Sequence, residues 1–136
     1  IALISIRRHQ SPTQSASCEF AGAHNPLWII RKESEKVEEI KANKQPVGKF
    51  DNPTPYSTHA VELNSGDSVY LFSDGFADQF GGEKGKKFKA KNFKNLLLSL
   101  QNKTMEQQKS SINDSFEKWR GSLEQLDDVC VIGIKI

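Results

Sequence analysis

Several of the residues that usually announce a chemistry are scarce in this sequence. Among 136 residues there are two cysteines and three histidines. Cys18 and Cys130 stand far apart with no Cys-x-x-Cys spacing, and both adjoin strand-like runs. Reduced core thiols in a reducing, cytoplasmic setting are therefore expected rather than a disulfide or a zinc site. No apolar run approaches the roughly 18 to 20 residues needed to span a bilayer. No basic, apolar, small-residue leader precedes the first strand, so no membrane contact is expected of this segment. An excess of one charge is missing too: 19 basic and 17 acidic residues leave a net charge of +2, which gives no argument for nucleic acid or an anionic membrane surface. There is no internal repeat and no low-complexity segment. What remains is a chain that is 36% apolar with eight phenylalanines, enough for the core of one small globular domain.

The first half reads as strands. Ile1 to Ile6 is an apolar run with no polar lead-in, which suggests that the chain begins inside a domain, because boundaries normally fall in polar linkers. Ser11-Pro12 marks a turn and Ala16 to Phe20 resumes a strand, predicting a hairpin. Leu27 to Ile30 is apolar on both faces, and the charged stretch Glu33 to Glu39 is the expected tip of the next hairpin. A loop punctuated by Pro46-Val47-Gly48 and Asn52-Pro53-Thr54-Pro55 runs to Tyr56. Beyond it, His59 to Leu63 and Ser68 to Ser73 are expected to pair as a further hairpin. The period then changes. Phe93, Leu96, Leu97 and Leu100 make the stripe of an amphipathic helix. Thr104 and Gln107 form a capping box for a second helix, with Ile112, Phe116 and Trp119 on its apolar face and Gly121 as its stop. These helical stripes are expected to cover a sheet face. Val129 to Ile134 closes the chain as a strand apolar on both faces.

Chemistry is expected where these strands end. Gly66-Asp67 opens and Asp74-Gly75 closes the run Ser68 to Ser73, placing the Asp74 carboxylate at a strand end with a glycine that allows a sharp turn or close approach to an ion. Asp127-Asp128 enters the last strand. If the two strands are antiparallel neighbours, these carboxylates converge at one edge. Carboxylate oxygens with retained waters suit a hard divalent cation such as magnesium or manganese, and a pair of such ions can activate a water against a phosphate. On spacing alone, solvated turn residues remain the commoner explanation of such acids.

Four blocks stand in one order: Ala21-Gly22-Ala23-His24-Asn25-Pro26-Leu27, then Pro46-Val47-Gly48, then Gly66-Asp67 through Ser73-Asp74-Gly75, and last Asp127-Asp128-Val129. In that order and rough spacing the chain resembles the SpoIIE-like branch of the metal-dependent (PPM type) serine/threonine phosphatases. The string Tyr70 to Gly82 is similar to the version in bacterial sensor proteins whose output module is such a phosphatase. The resemblance implies an α+β fold, a two-sheet β-sandwich flanked by helices in the phosphatase 2C-like αββα manner, with a binuclear Mn2+ or Mg2+ centre at one end of the sheets. It implies that Asp74 ligates metal, that Asp127 is the better match for the second carboxylate with Asp128 beside it, that Asp78 contacts an additional ion, and that Gly75 lends the site its backbone. It further implies attack of metal-activated hydroxide on phosphoserine or phosphothreonine, with no covalent phosphoenzyme and no catalytic side chain beyond the metal ligands. The implied partners are a phosphoprotein substrate, such as an anti-sigma factor antagonist, and an upstream sensor domain.

The chain also departs from that family. A hairpin bearing a further metal-binding aspartate and a pair of helices, which relatives carry ahead of the first strand here, are missing. Residues 1–136 are thus expected to be the C-terminal portion of a single catalytic domain, inactive alone and prone to self-association through uncovered apolar surface. The competing reading is a non-catalytic interaction module with a degenerate metal site. His24 precedes Asn25-Pro26 and is expected to make structural hydrogen bonds rather than to act as a general acid. His9 and His59 read as surface residues. Gly81 to Lys87 fails the phosphate-loop pattern, and lysines 84, 86, 87, 89, 91 and 94 read as a solvated loop and helix face, with an electropositive flap as the alternative.

Overall fold

The structure, a computed structural model, describes residues 1–8 and 15–136; the expected Ser11-Pro12 turn and His9 lie outside the described residues. Two compact units are present, one made of residues 1–71 and 132–136 and the other of 72–131.

In the first unit, β1 (Ala2–Arg8) and β2 (Ala16–Gly22) pair antiparallel as the sequence predicts. Strand β2 alternates cleanly: Ala16, Cys18 and Phe20 are fully buried, because a period of two sends every second side chain to the same face. Strand β3 (Leu27–Ile30) is buried at all four positions and forms the expected hairpin with β4 (Glu38–Ile40). The further hairpin does not form. Strand β5 (His59–Leu63) joins β2, whereas β6 (Ser68–Phe72) joins β3. The turn between them therefore passes from one sheet to the other. Its physical cause is that Leu63 and Val69 both point into one apolar cluster with Cys18, Phe20, Leu27 and Ile29, an arrangement two sheets can satisfy from opposite sides and one flat hairpin cannot. The sheet orders are β1-β2-β5 and β4-β3-β6-β9, with β9 spanning Val131–Lys135. The second sheet closes at its edge by antiparallel pairing of β6 with β9. At one end the Ser73 N–H donates to the Cys130 carbonyl at 2.9 Å, and at the other the Ile136 N–H donates to Asp67 at 3.0 Å. Strand β9 departs from its apolar pattern: it is an edge strand, and Ile132 is exposed. Both cysteines are free, yet only Cys18 is a core thiol, since Cys130 is exposed. Burial, and then the nearby Glu19 carboxylate, push the Cys18 thiol above its ordinary value.

The second unit holds α1 (Gly75–Asp78), a two-strand ribbon of β7 (Phe80–Gly81) and β8 (Lys86–Lys87), and helices α2 (Ala90–Ser99) and α3 (Met105–Arg120). The Thr104–Gln107 capping box is present in both directions, and Gly121, at φ 58°, ends α3 where a side chain would be strained. Within this unit the helices bury aromatic rings against each other and against α1. Phe76 stacks on Phe93 with centroids 4.3 Å apart and meets Phe88 edge-on at 5.1 Å, while Phe88 meets Trp119 edge-on at 5.3 Å. The fully buried rings of Phe76 and Phe93 contribute roughly 1.5–3 kcal/mol each by leaving water. The glycine- and lysine-rich segment folds as the β7–β8 ribbon, with Lys84, Lys86, Lys87, Lys89 and Lys91 exposed. Among the described residues no helix is long and apolar enough to cross a membrane.

Candidate metal centre

The chain leaves β6 at Phe72, passes Ser73 and Asp74, and turns at once into α1. Asp74 is thus not on the strand itself: it lies two residues beyond, with helical backbone angles (φ −72°, ψ −16°), and its carbonyl accepts from the Asp78 N–H at 2.9 Å. A helix of one turn has no stability of its own. What fixes it is Phe76, 1% exposed, driven into the aromatic cluster two residues after Asp74. Gly75 is required for a reason other than an ion: a Cβ there would strike the main-chain carbonyl of Asp128. That glycine lets two main chains touch.

Four aspartates are implicated by the resemblance, and the structure places them as follows. The Asp74 and Asp128 side chains are exposed, and their main chains are brought together: the Ser73 hydroxyl donates to the Asp128 carbonyl at 2.7 Å and accepts from the Cys130 N–H at 2.9 Å. Asp127 precedes this contact, exposed, with its carboxylate accepting from the Asp128 N–H at 2.7 Å and its carbonyl accepting from the Gln125 amide at 2.9 Å. Asp78 faces a cation of the chain instead. Its carboxylate pairs with the Lys87 ammonium at 2.9 Å, and both side chains are about half exposed, so the pair contributes only about 0–1 kcal/mol. Convergence of the two strand ends therefore holds at the level of the main chain, at Ser73 to Gly75 against Asp128 to Cys130.

The donor set suits a hard divalent cation in kind, being carboxylate oxygen, but not in number. Among the described residues no group of three or more histidine, cysteine, aspartate or glutamate side chains is gathered to hold a metal, whereas magnesium and manganese sites rest on several such oxygens plus waters. His24 is exposed, with φ 64° and its N–H donating to the Asn43 carbonyl at 2.9 Å, so its structural role runs through the backbone. His59 is half-buried, with its ring 6.2 Å from that of Phe20.

Two residues that sequence reasoning left without a role organise the neighbourhood. Ser73 and Gln79 hold the main chain on either side of the acidic turn. In the first unit, at the opposite end of β6, Asp67 has a structural role of its own. Its carboxylate, 2% exposed as a residue, accepts from the Lys32 N–H at 2.9 Å, the Asn64 N–H at 3.0 Å and the Arg31 guanidinium at 3.0 Å. Burial alone would raise its pKa. The two N–H groups and the guanidinium outweigh that and hold the carboxyl below the ordinary carboxylate value. The one signal that could have singled Asp67 out is its place in a Gly-Asp pair directly before a mostly apolar strand.

Residues 10–136 match the family described as Stage II sporulation protein E (SpoIIE). Among solved structures, the chain is similar to the SiaA-PP2C domain of Pseudomonas aeruginosa, with 28% identity and a TM-score of 0.78 over 88% of this chain and 46% of that one. It is also similar to the PP2C phosphatase domain of SpoIIE from Bacillus subtilis solved with a fragment of its regulatory domain, with 25% identity and a TM-score of 0.68 over 90% of this chain and 35% of that one. A manganese-presoaked structure of the phosphatase domain of the same B. subtilis protein shares 18% identity at a TM-score of 0.63, over 99% of this chain and 56% of that one, a likeness of fold alone. The chain spans about half the length of the solved domains it matches. No curated protein matches it.

Proposed function

This chain belongs to the SpoIIE family of PP2C-type phosphatase domains, and from that premise we propose that the protein carrying it removes phosphate from phosphoserine or phosphothreonine on a signalling protein in a metal-dependent reaction. The observation that carries this reading is the meeting of the Ser73-Asp74-Gly75 turn with Asp128, which puts acidic residues from two distant parts of the sequence at one place. Asp74 and Asp127 would contribute carboxylate oxygens to Mn2+ or Mg2+, with Asp128 beside them. Asp78 would have to leave Lys87 before it could serve an ion. A divalent cation held there would supply a water of lowered pKa and neutralise phosphate charge.

The same site has too few donors among the described residues, so further ligands are needed and this chain by itself is expected to be inactive. The shortage is also what favours the second reading, a non-catalytic interaction module with a degenerate metal site. The substrate class we propose, a small phosphoprotein such as an anti-sigma factor antagonist, follows from the family and from no residue of the chain.

Manganese calorimetry and phosphoserine-peptide hydrolysis by the full-length protein, its Asp74→Asn variant and residues 1–136 separate these readings. The enzyme reading expects manganese binding and turnover by the full-length protein, loss of both on the order of 100-fold in Asp74→Asn, and no turnover by residues 1–136. Equal metal binding by wild type and Asp74→Asn would remove Asp74 from the site, and a full-length protein that neither binds manganese nor hydrolyses the peptide would leave the interaction module standing.

A further inference from the structure

We propose that Ser73 and Gln79 are positioning residues, a two-point latch that sets where the Asp127-Asp128 turn stands beside Asp74. The turn belongs to the loop from Gly121 to Asp128, in which every residue is exposed. Burial therefore cannot fix its course, and each residue ordered there costs about 1–2 kcal/mol of backbone entropy. Two side chains distant in sequence supply the restraint. The Gln79 amide donates to the Glu124 carbonyl at 3.0 Å, near the middle of the loop, and the Ser73 hydroxyl donates to the Asp128 carbonyl at 2.7 Å, at its end.

Both side chains are themselves held. Gln79 is 1% exposed. Its N–H donates to the Gly75 carbonyl at 3.0 Å, and its carbonyl accepts from the Trp119 indole and from the Phe88 N–H, each at 3.0 Å. The amide has a second acceptor in the Phe80 carbonyl at 2.9 Å. Ser73 uses its hydroxyl in both senses, giving its proton to Asp128 and accepting from the Cys130 N–H. A latch of this kind grips main-chain atoms only. The side chains at 127 and 128 are left outside it, and a buried amide on a rigid backbone transmits the position of α1 to a loop whose residues 121–128 are all exposed.

The importance of that position for a metal rests on the functional reading above; the latch itself rests on the hydrogen bonds. Its test uses the full-length protein and the variants Ser73→Ala, Ser73→Thr and Gln79→Met, with two measurements: amide hydrogen exchange across residues 121–130 without metal, and manganese affinity by calorimetry. Ser73→Ala and Gln79→Met are expected to speed exchange in 121–130 about tenfold while exchange in α2 stays unchanged, and to weaken manganese binding roughly 10-fold or more, as loss of a group that orients a ligand does. Ser73→Thr keeps the hydroxyl and should stay near wild type in both. Wild-type exchange in 121–130 in both variants would overturn the latch. So would unchanged manganese affinity despite faster exchange, or exchange that rises in α2 and 121–130 together, which would reduce both residues to general packing. Should Asp74→Asn bind manganese as wild type does, the metal reading fails, and the exchange measurement still decides the latch by itself.

Discussion

At the scale of single residues, the acid that holds structure and the acid expected to hold a ligand are seven positions apart and behave oppositely. Asp67 is buried and saturated with donors, whereas Asp74 is exposed. Replacing Asp67 by Asn removes the charge and turns an amide NH2 toward at least one of the N–H groups it faces. A loss of roughly 2–3 kcal/mol at neutral pH is expected, the scale of hydrogen bonds to a charged group. Because the folded carboxyl lies below its ordinary value, the stability it contributes is fully present above the unfolded value of about 4 and disappears as pH falls through the lowered one. Urea unfolding of wild type and Asp67→Asn should therefore differ at pH 7 and converge toward pH 2. A difference that stays constant over that range would mean the charge of Asp67 is not what stabilises. The two aspartates also show what a sequence can and cannot convey. Both stand next to glycine at the ends of one apolar strand, and nothing local states that one is surrounded by Arg31, Lys32 and Asn64, because those donors are brought in by β3 and the turn. Ser73 and Gln79 were invisible for the same reason. Their partners, Asp128 and Glu124, lie 55 and 45 residues away.

Elements were legible where the signal is periodic or local. The capping box of α3, the strand at β2 and the apolar stripe of α2 each arise within a dozen residues, and each is found. Pairing was less legible. Strands β5 and β6 sit next to each other in sequence with a turn between them, the usual mark of a hairpin, but the burial of Leu63 and Val69 in a cluster shared by two sheets decides otherwise. The long connection from β4 to β5 is a further case. Gln45, 6% exposed, closes it by donating to the Thr54 carbonyl at 2.7 Å and accepting from the Thr54 N–H at 3.1 Å and hydroxyl at 2.9 Å. Beside it the Tyr56 hydroxyl donates to the Pro46 carbonyl at 2.8 Å. The expected result of Gln45→Ala is an opened loop: trypsin cleavage after the exposed Lys49 should accelerate about tenfold, since proteolysis of a transient opening follows its population and 1.4 kcal/mol is a factor of ten. An unchanged cleavage rate would show that the proline-rich segment keeps its course without this clamp.

At the scale of the whole molecule, the chain leaves the first unit after β6 and returns to it at β9. The two crossing points are adjacent. The Ser73 N–H meets the Cys130 carbonyl at 2.9 Å, and the strands beyond them run antiparallel down to Gly66 and Asp67, which exchange hydrogen bonds with Ile136 at 2.8 and 3.0 Å. Residues 72–131 thus enter the fold as an insertion at one end of a two-strand ladder, the kind of place where a turn can stand in for a domain. Joining Phe72 to Val131 through Asn-Gly should make β6 and β9 a tight hairpin, because two residues with positive φ match the twist of antiparallel strands. The buried cluster of Ala16, Cys18, Phe20, Leu27, Ile29, Leu63 and Val69 lies wholly within what is kept. The shortened protein is expected to give a strand-rich circular dichroism spectrum and a single sigmoidal thermal transition, and to lose the proposed metal ligands with the excised part. A chain that melts without cooperativity would mean the first unit depends on the second for its stability, and would overturn the view that the carboxylates are carried on an insertion the sandwich can do without.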